Sequence, residues 1–186
     1  GSARPAEWLP WVFGGRYDRL AGAYIGNPDP DDVKELKVHA GQLKLIEAMD
    51  LPGIRRVLAL GAPCGGKSDG IIVVACLLSL WHPNRVGGIV APTQDRLDIV
   101  WDKIIDLAGP LGWIDDIKPG KRRIVWKNQA VGQFVAAKRQ SDKTGSPISG
   151  RGWWWAVEDE QQHIDNKSIL EVDHRGRING RGFKVF

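Results

Sequence analysis

The middle of the chain contains two kinds of apolar segment, short runs and longer helical segments. Residues 56–60 and 86–90 are short apolar runs typical of buried strands, whereas residues 69–81 are apolar nearly all round, as in a buried helix. Thr93 follows the second run and can cap a helix over residues 95–108, whose predicted apolar face is Leu97, Val100, Trp101, Ile104 and Ile105. This order of strand, helix, strand and helix predicts an α/β fold with a mainly parallel central sheet flanked by helices.

The N-terminal part of the chain carries weaker signals. Residues 1–30 mix aromatic residues with Gly and Pro without a sustained period, so we expect an irregular arm. The segment Asp-Pro-Asp-Asp at 29–32 favours a helix N-terminus, and this helix is expected to run to about Asp50. Its candidate core positions are Val38, Leu43, Leu45, Ile46 and Met49. We therefore divide the chain into residues 1–36, the arm with the start of the first helix, and residues 37–186, the core.

The second half of the chain adds strands to the predicted sheet. Residues 124–126 and 131–136, joined by a polar turn, predict an inserted β-hairpin. Residues 153–157 form another buried apolar run, and residues 183–186 begin a further strand.

Composition narrows the class of protein. The 186 residues are 42% hydrophobic and 26% charged, which suits one folded domain and neither a disordered nor a collagen-like chain. Two cysteines cannot form a disulfide framework and suit a reducing compartment. The longest apolar run is too short to span a bilayer, so no membrane association is expected. Nine Trp, three of them consecutive at 153–155, indicate core packing, with stacking on a base or on DNA as the alternative.

The strongest chemical signal is a phosphate-binding pattern between the first predicted strand and the helix after it. The pattern G-x-x-x-x-G-K-[ST] is matched without a mismatch by Gly61, Ala62, Pro63, Cys64, Gly65, Gly66, Lys67 and Ser68. Glycines leave backbone N–H groups open to phosphate, and the helix N-terminus adds positive charge. Lys67 would bridge the β- and γ-phosphates of ATP, Ser68 would ligate Mg²⁺, and Asp69 completes the predicted nucleotide-binding set. The alternative is a Gly-rich turn that carries Lys-Ser by chance.

Three acids end the apolar run at 153–157. A Walker B strand carries carboxylates in this way to the end of a sheet beside a phosphate loop. We assign Asp159 to Mg²⁺ and Glu160 to polarising the attacking water. Glu158 is the alternative metal ligand, because side chains alternate along a strand and only one of the two neighbouring acids can face the metal. Acids that merely solvate a strand end are the remaining interpretation.

Together these residues resemble a known family. The phosphate loop, V-A-P-T-Q-D-R-L-D-I-V-W-D-K-I at 90–104, S-G-R-G at 149–152 and V-E-D-E at 157–160 are similar to the ATPase domain of the large terminase subunit of tailed bacteriophages. The resemblance covers residues 39–162 and implies a P-loop NTPase fold of the RecA-like, additional-strand catalytic-glutamate (ASCE) type. It also implies that ATP and Mg²⁺ are the cofactors and that hydrolysis moves double-stranded DNA into a viral procapsid, in the host cytoplasm.

The same resemblance implies partners and roles for single residues. The family works as a homo-oligomeric ring that forms transiently on the portal protein, together with a small terminase subunit. Gln42 would recognise adenine, with a solvent-facing helix residue as the alternative. A ring neighbour can supply an arginine finger in trans, and the candidates are Arg139 and Arg151, the latter equally able to fix its own loop.

The chain departs from the family pattern in two places. The family's phosphate loop often carries an Arg near its start, where this chain has Ala62, Pro63 and Cys64, so no arginine acting in cis is assigned. The carboxylate cluster of the family's nuclease is also not found among the 186 residues. We therefore expect an isolated motor domain without nuclease activity.

Charge is distributed unevenly along the chain. Lys and Arg number 26 against 22 Asp and Glu, a net charge of +4. Residues 117–155 contain nine basic residues and one acid (+8), whereas residues 95–116 contain six Asp against Arg96 and Lys103 (−4). A basic stretch of this kind fits the phosphates of duplex DNA, and such binding weakens with salt. A solvated basic face is the alternative.

Three other functions explain part of the pattern. A helicase would account for D-E-Q-Q at 159–162, but it needs a second motor domain. A small P-loop kinase would account for Lys67 and Ser68 and would leave the acidic strand end unused. A nucleotide-binding module without turnover would require an inert Glu160. We therefore expect an ATPase that acts on DNA.

Overall fold

The computed structural model describes two compact units, Gly1–Gly70 and Ile71–Phe186. The residues that it describes are 16–18, 23–25, 37–38, 40–50, 56–57, 67–137, 152–160, 163–164 and 183–185. In this part of the chain, no helix has the length and apolar character needed to cross a membrane.

The first unit begins with a small antiparallel sheet. Its strands are β1 (Arg16–Asp18), β2 (Ala23–Ile25) and β3 (Lys37–Val38), in the order β1-β2-β3. Helix α1 (Ala40–Asp50) and the short strand β4 (Arg56–Val57) follow.

Two predictions for this unit are wrong. The arm that we expected to be irregular contains two strands, and the single helix expected from residues 29–32 to about Asp50 is interrupted, because Lys37–Val38 is a strand and α1 begins at Ala40. Residues 29–32 lie outside the described residues. The Asp-Pro signal is local, whereas Lys37 and Val38 are held as a strand by their pairing with Ile25 and Tyr24, so a tertiary contact decides the backbone there. The predicted core positions that are confirmed as buried are Val38, Leu43, Leu45 and Ile46. The side chain of Met49 lies outside the described part.

The second unit contains the main sheet. Its strands are β5 (Val86–Ala91), β6 (Ile114–Lys118), β7 (Arg123–Trp126), β8 (Val131–Ala136), β9 (Trp155–Glu158) and β10 (Phe183–Val185). They lie in the order β10-β9-β5-β8-β7-β6. The pairs β10·β9, β9·β5 and β5·β8 are parallel, whereas β8·β7 and β7·β6 are antiparallel. The predicted mainly parallel sheet with an inserted hairpin is confirmed.

Strand β6 is an element that the sequence did not predict. Four of its five residues are exposed, because it pairs with β7 at the border of the sheet and carries two Asp and one Lys. A strand without apolar alternation gives no periodic signal. The turn that joins it to β7 is a 3-10 helix, Pro119–Lys121, followed by Arg122 in the left-handed conformation. The Pro-Gly pair in this turn is the sequence signal that could have indicated a turn before β7.

Helices α2 (Lys67–Trp81) and α3 (Gln94–Ala108) match their predictions. Within the second unit, α2 is buried from Ile71 to Ser79, as expected of a helix that is apolar nearly all round. Thr93 caps α3 by accepting a hydrogen bond from the Arg96 N–H at 3.4 Å, and α3 buries Leu97, Val100, Trp101, Ile104 and Ala108. The predicted face is therefore confirmed, except that Ile105 is half-buried.

The Trp-rich segment packs its rings against two glycines of β5. A Cβ on Gly87 would lie 2.0 Å from Cε2 of Trp155, and one on Gly88 would lie 2.2 Å from Cε3 of Trp153. Consecutive strand residues face opposite sides of a sheet, so one indole covers each face of β5. The missing side chains of the glycines make room for the indoles, and both rings are buried. Core packing of Trp153 and Trp155 is therefore confirmed.

Candidate nucleotide site

The start of α2 carries the last two residues of the phosphate-binding pattern. Lys67 and Ser68 are the first residues of the helix and are half-buried, and Asp69 in the same turn is exposed. An N-terminal helix turn presents backbone N–H groups and partial positive charge, which favour an anion. The rest of the predicted loop, Gly61, Ala62, Pro63, Cys64, Gly65 and Gly66, lies outside the described residues.

Gln42 lies beside the first turns of α2. Its side chain is 6% exposed, and a Cβ placed on Gly70 would meet Cγ of Gln42 at 3.2 Å and Cδ2 of Leu45 at 3.5 Å. Helix α1 thus packs against Gly70 in the same first turn of α2 that carries Lys67 and Ser68, all within the first unit. The alternative of a solvent-facing Gln42 is wrong.

The acidic end of β9 lies in the second unit. Glu158 is the last residue of the strand and is fully buried, and Asp159 is 6% exposed with its N–H bonded to the Val90 carbonyl at 2.9 Å. The strand begins at Trp155, two residues later than predicted, and it continues to Glu158. Both candidate metal ligands therefore lie in a low-exposure part of the carboxyl edge of the sheet, where β5, β8 and β9 end.

Glu160 stands apart from these two acids. Its backbone has φ 51°, which turns the chain away from the strand direction, and its side chain is 28% exposed. A non-glycine residue in this region of φ/ψ space is uncommon and often marks a functional position. A carboxylate at a sheet end with part of its surface open is able to reach a water molecule.

Arg96 is a neighbour of Glu160 that the sequence did not assign. Its Nη2 lies 3.3 Å from Oε1 of Glu160. Strands β5 and β9 are parallel neighbours, so the first turn of α3, which follows β5, meets the end of β9 at the same edge. The sequence did not indicate this contact, because Arg96 and Glu160 are distant in sequence and only the order of the strands brings them together.

Helix α3 also contacts the inserted hairpin. Asp98 accepts a hydrogen bond from Nε2 of Gln94 at 2.7 Å and pairs with Nη2 of Arg122 at 2.8 Å. The Arg122 guanidinium also lies 5.6 Å from the ring centre of Trp101, a cation–π distance. The first turns of α3 therefore touch both Glu160 and the hairpin.

Arg139 and Arg151, the two arginine-finger candidates, lie outside the described residues. Among the residues that the structure does describe, no group of three or more His, Cys, Asp or Glu could hold a metal ion by itself.

Two titratable side chains lie away from the acidic strand end. Burial raises the pKa of the Cys76 thiol well above its ordinary range, so this cysteine remains protonated and poorly reactive. Burial, and then the nearby charge of Arg85, lower the pKa of His82. His82 and Arg85 both contact the Trp154 ring, with centroid distances of 6.4 Å for the His82 ring and 4.2 Å for the Arg85 guanidinium carbon.

Comparison with known proteins gives matches among solved structures. No protein-family model matches the sequence, and no curated protein matches it. The chain is similar to the large terminase ATPase domain of Thermus phage P74-26, with TM-score 0.59 and 17% identity, over 99% of this chain and 70% of that one. It is also similar to the large terminase of bacteriophage HK97, with TM-score 0.71 and 16% identity, over 98% of this chain and 37% of that one.

A third solved structure contains a nucleotide analogue. The large terminase of a thermophilic bacteriophage, in complex with ATP-γ-S, matches with TM-score 0.61 and 12% identity, over 78% of this chain and 37% of that one. The chain therefore has the fold of large terminase ATPase domains, and the P-loop NTPase fold class predicted from the sequence is confirmed. It spans 37% of the length of the HK97 terminase and of the terminase solved with ATP-γ-S.

Proposed function

We propose that this chain is the ATPase domain of a large terminase, which hydrolyses ATP to drive double-stranded DNA into a viral procapsid. One observation carries the proposal: Lys67 and Ser68, the end of a complete phosphate-binding pattern, open helix α2 in a chain with the terminase ATPase fold. The thermophilic-phage terminase with this fold was solved with ATP-γ-S, which supports ATP as the nucleotide.

The nucleotide would lie along the start of α2. The backbone of residues 61–66 and the helix N-terminus would bind its phosphates, with Lys67 on the β- and γ-phosphates and Asp69 at the edge of the same turn. Gln42, buried beside Gly70, would recognise adenine, since an amide can donate to and accept from a base edge at once.

The residues present fit a magnesium ion. Ser68 offers a hydroxyl and Asp159 a carboxylate, and Mg²⁺ prefers such oxygen donors together with phosphate and water rather than an all-protein cage. These two residues would hold the ion, with Glu158 as the alternative to Asp159. When bound, Mg²⁺ supplies positive charge that offsets the negative charge of the phosphates. Glu160, partly open at the carboxyl edge, would accept a proton from the attacking water.

Assembly would complete the site. Negative charge on the γ-phosphate in the transition state requires an arginine, and a neighbour in a transient homo-oligomeric ring would supply Arg139 or Arg151. By family likeness the ring would act with a portal protein and a small terminase subunit, in the cytoplasm of the infected host. We propose no nuclease activity for these residues. We also propose that residues 37–186 form the ATPase core and that residues 1–36 are the N-terminal arm with the start of the first helix.

Phosphate release with and without duplex DNA tests the proposal. Lys67→Ala should lose ATP binding and hydrolysis. Glu160→Gln should lose hydrolysis by about 10²-fold or more and still bind ATP, because only the proton acceptor is removed. Lys44→Ala, an exposed lysine of α1, is the matched control and should behave as wild type.

The same assay separates the alternatives. Wild-type turnover in Glu160→Gln would contradict the catalytic assignment. Transfer of phosphate to a small molecule in place of water would indicate a kinase. Strand separation of the duplex would indicate a helicase.

A further inference from the structure

Two Trp, a His and an Arg meet at the amino edge of the main sheet, where β5 and β9 begin. Helix α2 ends at Trp81 and His82 follows it, Arg85 immediately precedes β5, and Trp154 immediately precedes β9. The two strands are parallel, so Glu158, the last residue of β9, lies at the opposite edge. The four residues Trp81, His82, Arg85 and Trp154 are here named the aromatic corner.

Arg85 and His82 contact the same indole in different ways. The guanidinium carbon of Arg85 lies 4.2 Å from the centre of the Trp154 ring, a cation–π contact. The His82 ring meets the indole edge-to-face, with 6.4 Å between the centroids and 63° between the planes. A guanidinium that lies over a ring uses its flat face for this contact and keeps the N–H donors in its plane available to a carboxylate.

Backbone hydrogen bonds fix the positions of these residues. The Arg85 N–H donates to the His82 carbonyl at 3.3 Å, and the Arg85 carbonyl accepts from the Val131 N–H at 2.8 Å. The Trp154 N–H donates to the Val86 carbonyl at 2.7 Å, which holds the start of β9 beside the start of β5. Binding at a surface arranged in this way requires little ordering of the backbone.

No acid offsets the positive charge at this edge. The stretches of described chain that meet here contain Arg85 and Lys127 and no Asp or Glu, and they are residues 79–86, 108–114, 126–131 and 152–155. In the described part of the chain, Arg85 forms no ion pair. Burial lowers the pKa of His82 and the charge of Arg85 lowers it further, which is the effect of a cation without a carboxylate beside it. The aromatic corner therefore favours an anion.

The aromatic corner is also open to solvent and partly apolar. Trp81 is 40% exposed, Arg85 is exposed, and His82 and Trp154 are half-buried. A Cβ on Gly152, two residues before Trp154, would have nothing within 4 Å. Accessible Trp and Arg side chains are the residue types enriched where proteins bind each other. A run of nucleic-acid phosphates needs a row of cations, whereas one guanidinium beside apolar rings suits a peptide with both carboxylates and apolar side chains.

We propose that the aromatic corner binds an acidic peptide segment of a partner protein. A carboxylate of this segment accepts hydrogen bonds from the Arg85 guanidinium and from an N–H of the His82 ring, and an apolar side chain of the segment packs on Trp81. The contact lies at the amino edge, so the carboxyl edge with Glu158 stays open while the partner is bound. The proposal goes beyond ATP hydrolysis and does not depend on it.

Fluorescence anisotropy tests the proposal on the 186-residue chain, with a labelled peptide rich in Asp and Leu as the probe. The control peptide has Asn in place of every Asp and should bind about tenfold more weakly or not at all, since charge-assisted hydrogen bonds are the strong ones. Arg85→Gln should weaken binding of the acidic peptide by about tenfold for the same reason. Lys121→Gln is the matched control variant and should bind it as wild type, because exposed Lys121 lies in the turn before β7, at the carboxyl edge.

Two substitutions of Trp154 test the ring. Trp154→Phe keeps an aromatic face and should weaken peptide binding by about threefold, whereas Trp154→Leu removes that face and should weaken it by about tenfold. Urea unfolding of each variant shows whether the chain is still folded. If Trp154→Leu does not fold, the exposed Arg85 and the milder Trp154→Phe still decide the proposal.

Proton binding by His82 gives a second measurement. In the described part of the chain, Arg85 is the charged group that acts on His82 from the elements around it. A bound carboxylate favours the charged imidazole, so the pKa of His82 is higher in the complex and affinity should rise as the pH falls from about 7.5 to about 6. His82→Gln should remove this rise, and a rise that persists in His82→Gln would contradict the contact with this ring.

Several outcomes would overturn the proposal. These are equal binding of the Asp and Asn peptides, and wild-type affinity in Arg85→Gln. Duplex DNA bound in place of the peptide and lost in Arg85→Gln would assign the corner to nucleic acid, and self-association lost in that variant would assign it to a second copy.

Failure of this proposal is distinguishable from failure of the proposed function. Wild type that binds the acidic peptide and hydrolyses no ATP would refute the proposed function alone. Wild type that hydrolyses ATP and does not bind the peptide would refute the aromatic corner alone.

Discussion

Replacing Gly87 with alanine tests how the Trp-rich segment packs against β5. The new Cβ would lie 2.0, 2.1 and 2.3 Å from three atoms of the Trp155 ring, whereas ordinary contacts begin near 3.4 Å, so the ring has to move by about 1 Å or more. Trp155 is 1% exposed, and a close-packed interior has no free volume for this shift. Overpacking costs about 1–3 kcal/mol or more, and the backbone gain of Ala over Gly offsets only about 0.5–1 kcal/mol.

We therefore expect Gly87→Ala to lower the free energy of unfolding by about 2 kcal/mol, which corresponds to a fall in Tm of roughly 4–8 °C in a chain of this size. Urea unfolding followed by circular dichroism gives the free energy, and calorimetry gives Tm. Gly120→Ala is the matched control, because nothing lies within 4 Å of its added Cβ, and it should be neutral or slightly stabilising.

A second substitution tests whether the Trp155 ring causes the loss of stability in Gly87→Ala. Trp155→Leu should be destabilising alone by about 3 kcal/mol through the cavity that it leaves. Adding Gly87→Ala to Trp155→Leu should then cost clearly less than it does in wild type, which is a coupling between two touching residues. If Gly87→Ala matches Gly120→Ala, or if the two costs simply add, the packing argument is refuted.

Three further predictions concern stability. Thr93→Ala should destabilise the chain by about 1 kcal/mol and Thr93→Ser should not, since the hydroxyl caps α3 at the Arg96 N–H; equal losses in urea unfolding would contradict the cap. Asn128→Ala should cost about 2 kcal/mol in the same assay, because its amide donates to two carbonyls in the last turn of α2 and accepts from Ala130 N–H; a loss below about 0.5 kcal/mol would show that water replaces these bonds. His82 has a folded pKa below its unfolded value, so its contribution to stability is present above that unfolded value of about 6.5 and is lost as pH falls. His82→Gln should therefore reduce the loss of stability between about pH 7.5 and about pH 5.5, and an unchanged pH profile would count against this reasoning.

The sequence predicts the centre of the fold well because its signals there are local and periodic. Helix α2 is apolar nearly all round, α3 has both a capping Thr and a clear apolar face, and β5 is a short apolar run that ends at a Pro. These elements satisfy propensity, pattern and burial together, so their positions follow from the residues themselves.

Errors arise where a partner distant in sequence decides the structure. Lys37 and Val38 form a strand only because β2 is beside them, and exposed β6 is a strand only because β7 pairs with it. The ion pair between Arg96 and Glu160 depends on β5 and β9 being neighbours, a fact of topology that the sequence pattern does not contain. For the candidate site, sequence therefore indicates the chemical groups, and the fold determines which of them meet.

Strand β6 has a consequence for how copies of the chain could associate. It pairs on one side with β7, and in the described part of the chain its other side has no strand neighbour. Asp115, Asp116 and Lys118 are exposed along it, and a register shift between Ile114 and Asp116 breaks the regular ladder. Charges and irregularities of this kind protect a sheet border from pairing with another molecule's strand. A continuous intermolecular sheet through β6 is therefore disfavoured, so subunits would have to meet through side-chain surfaces, which can separate and re-form without breaking a backbone ladder.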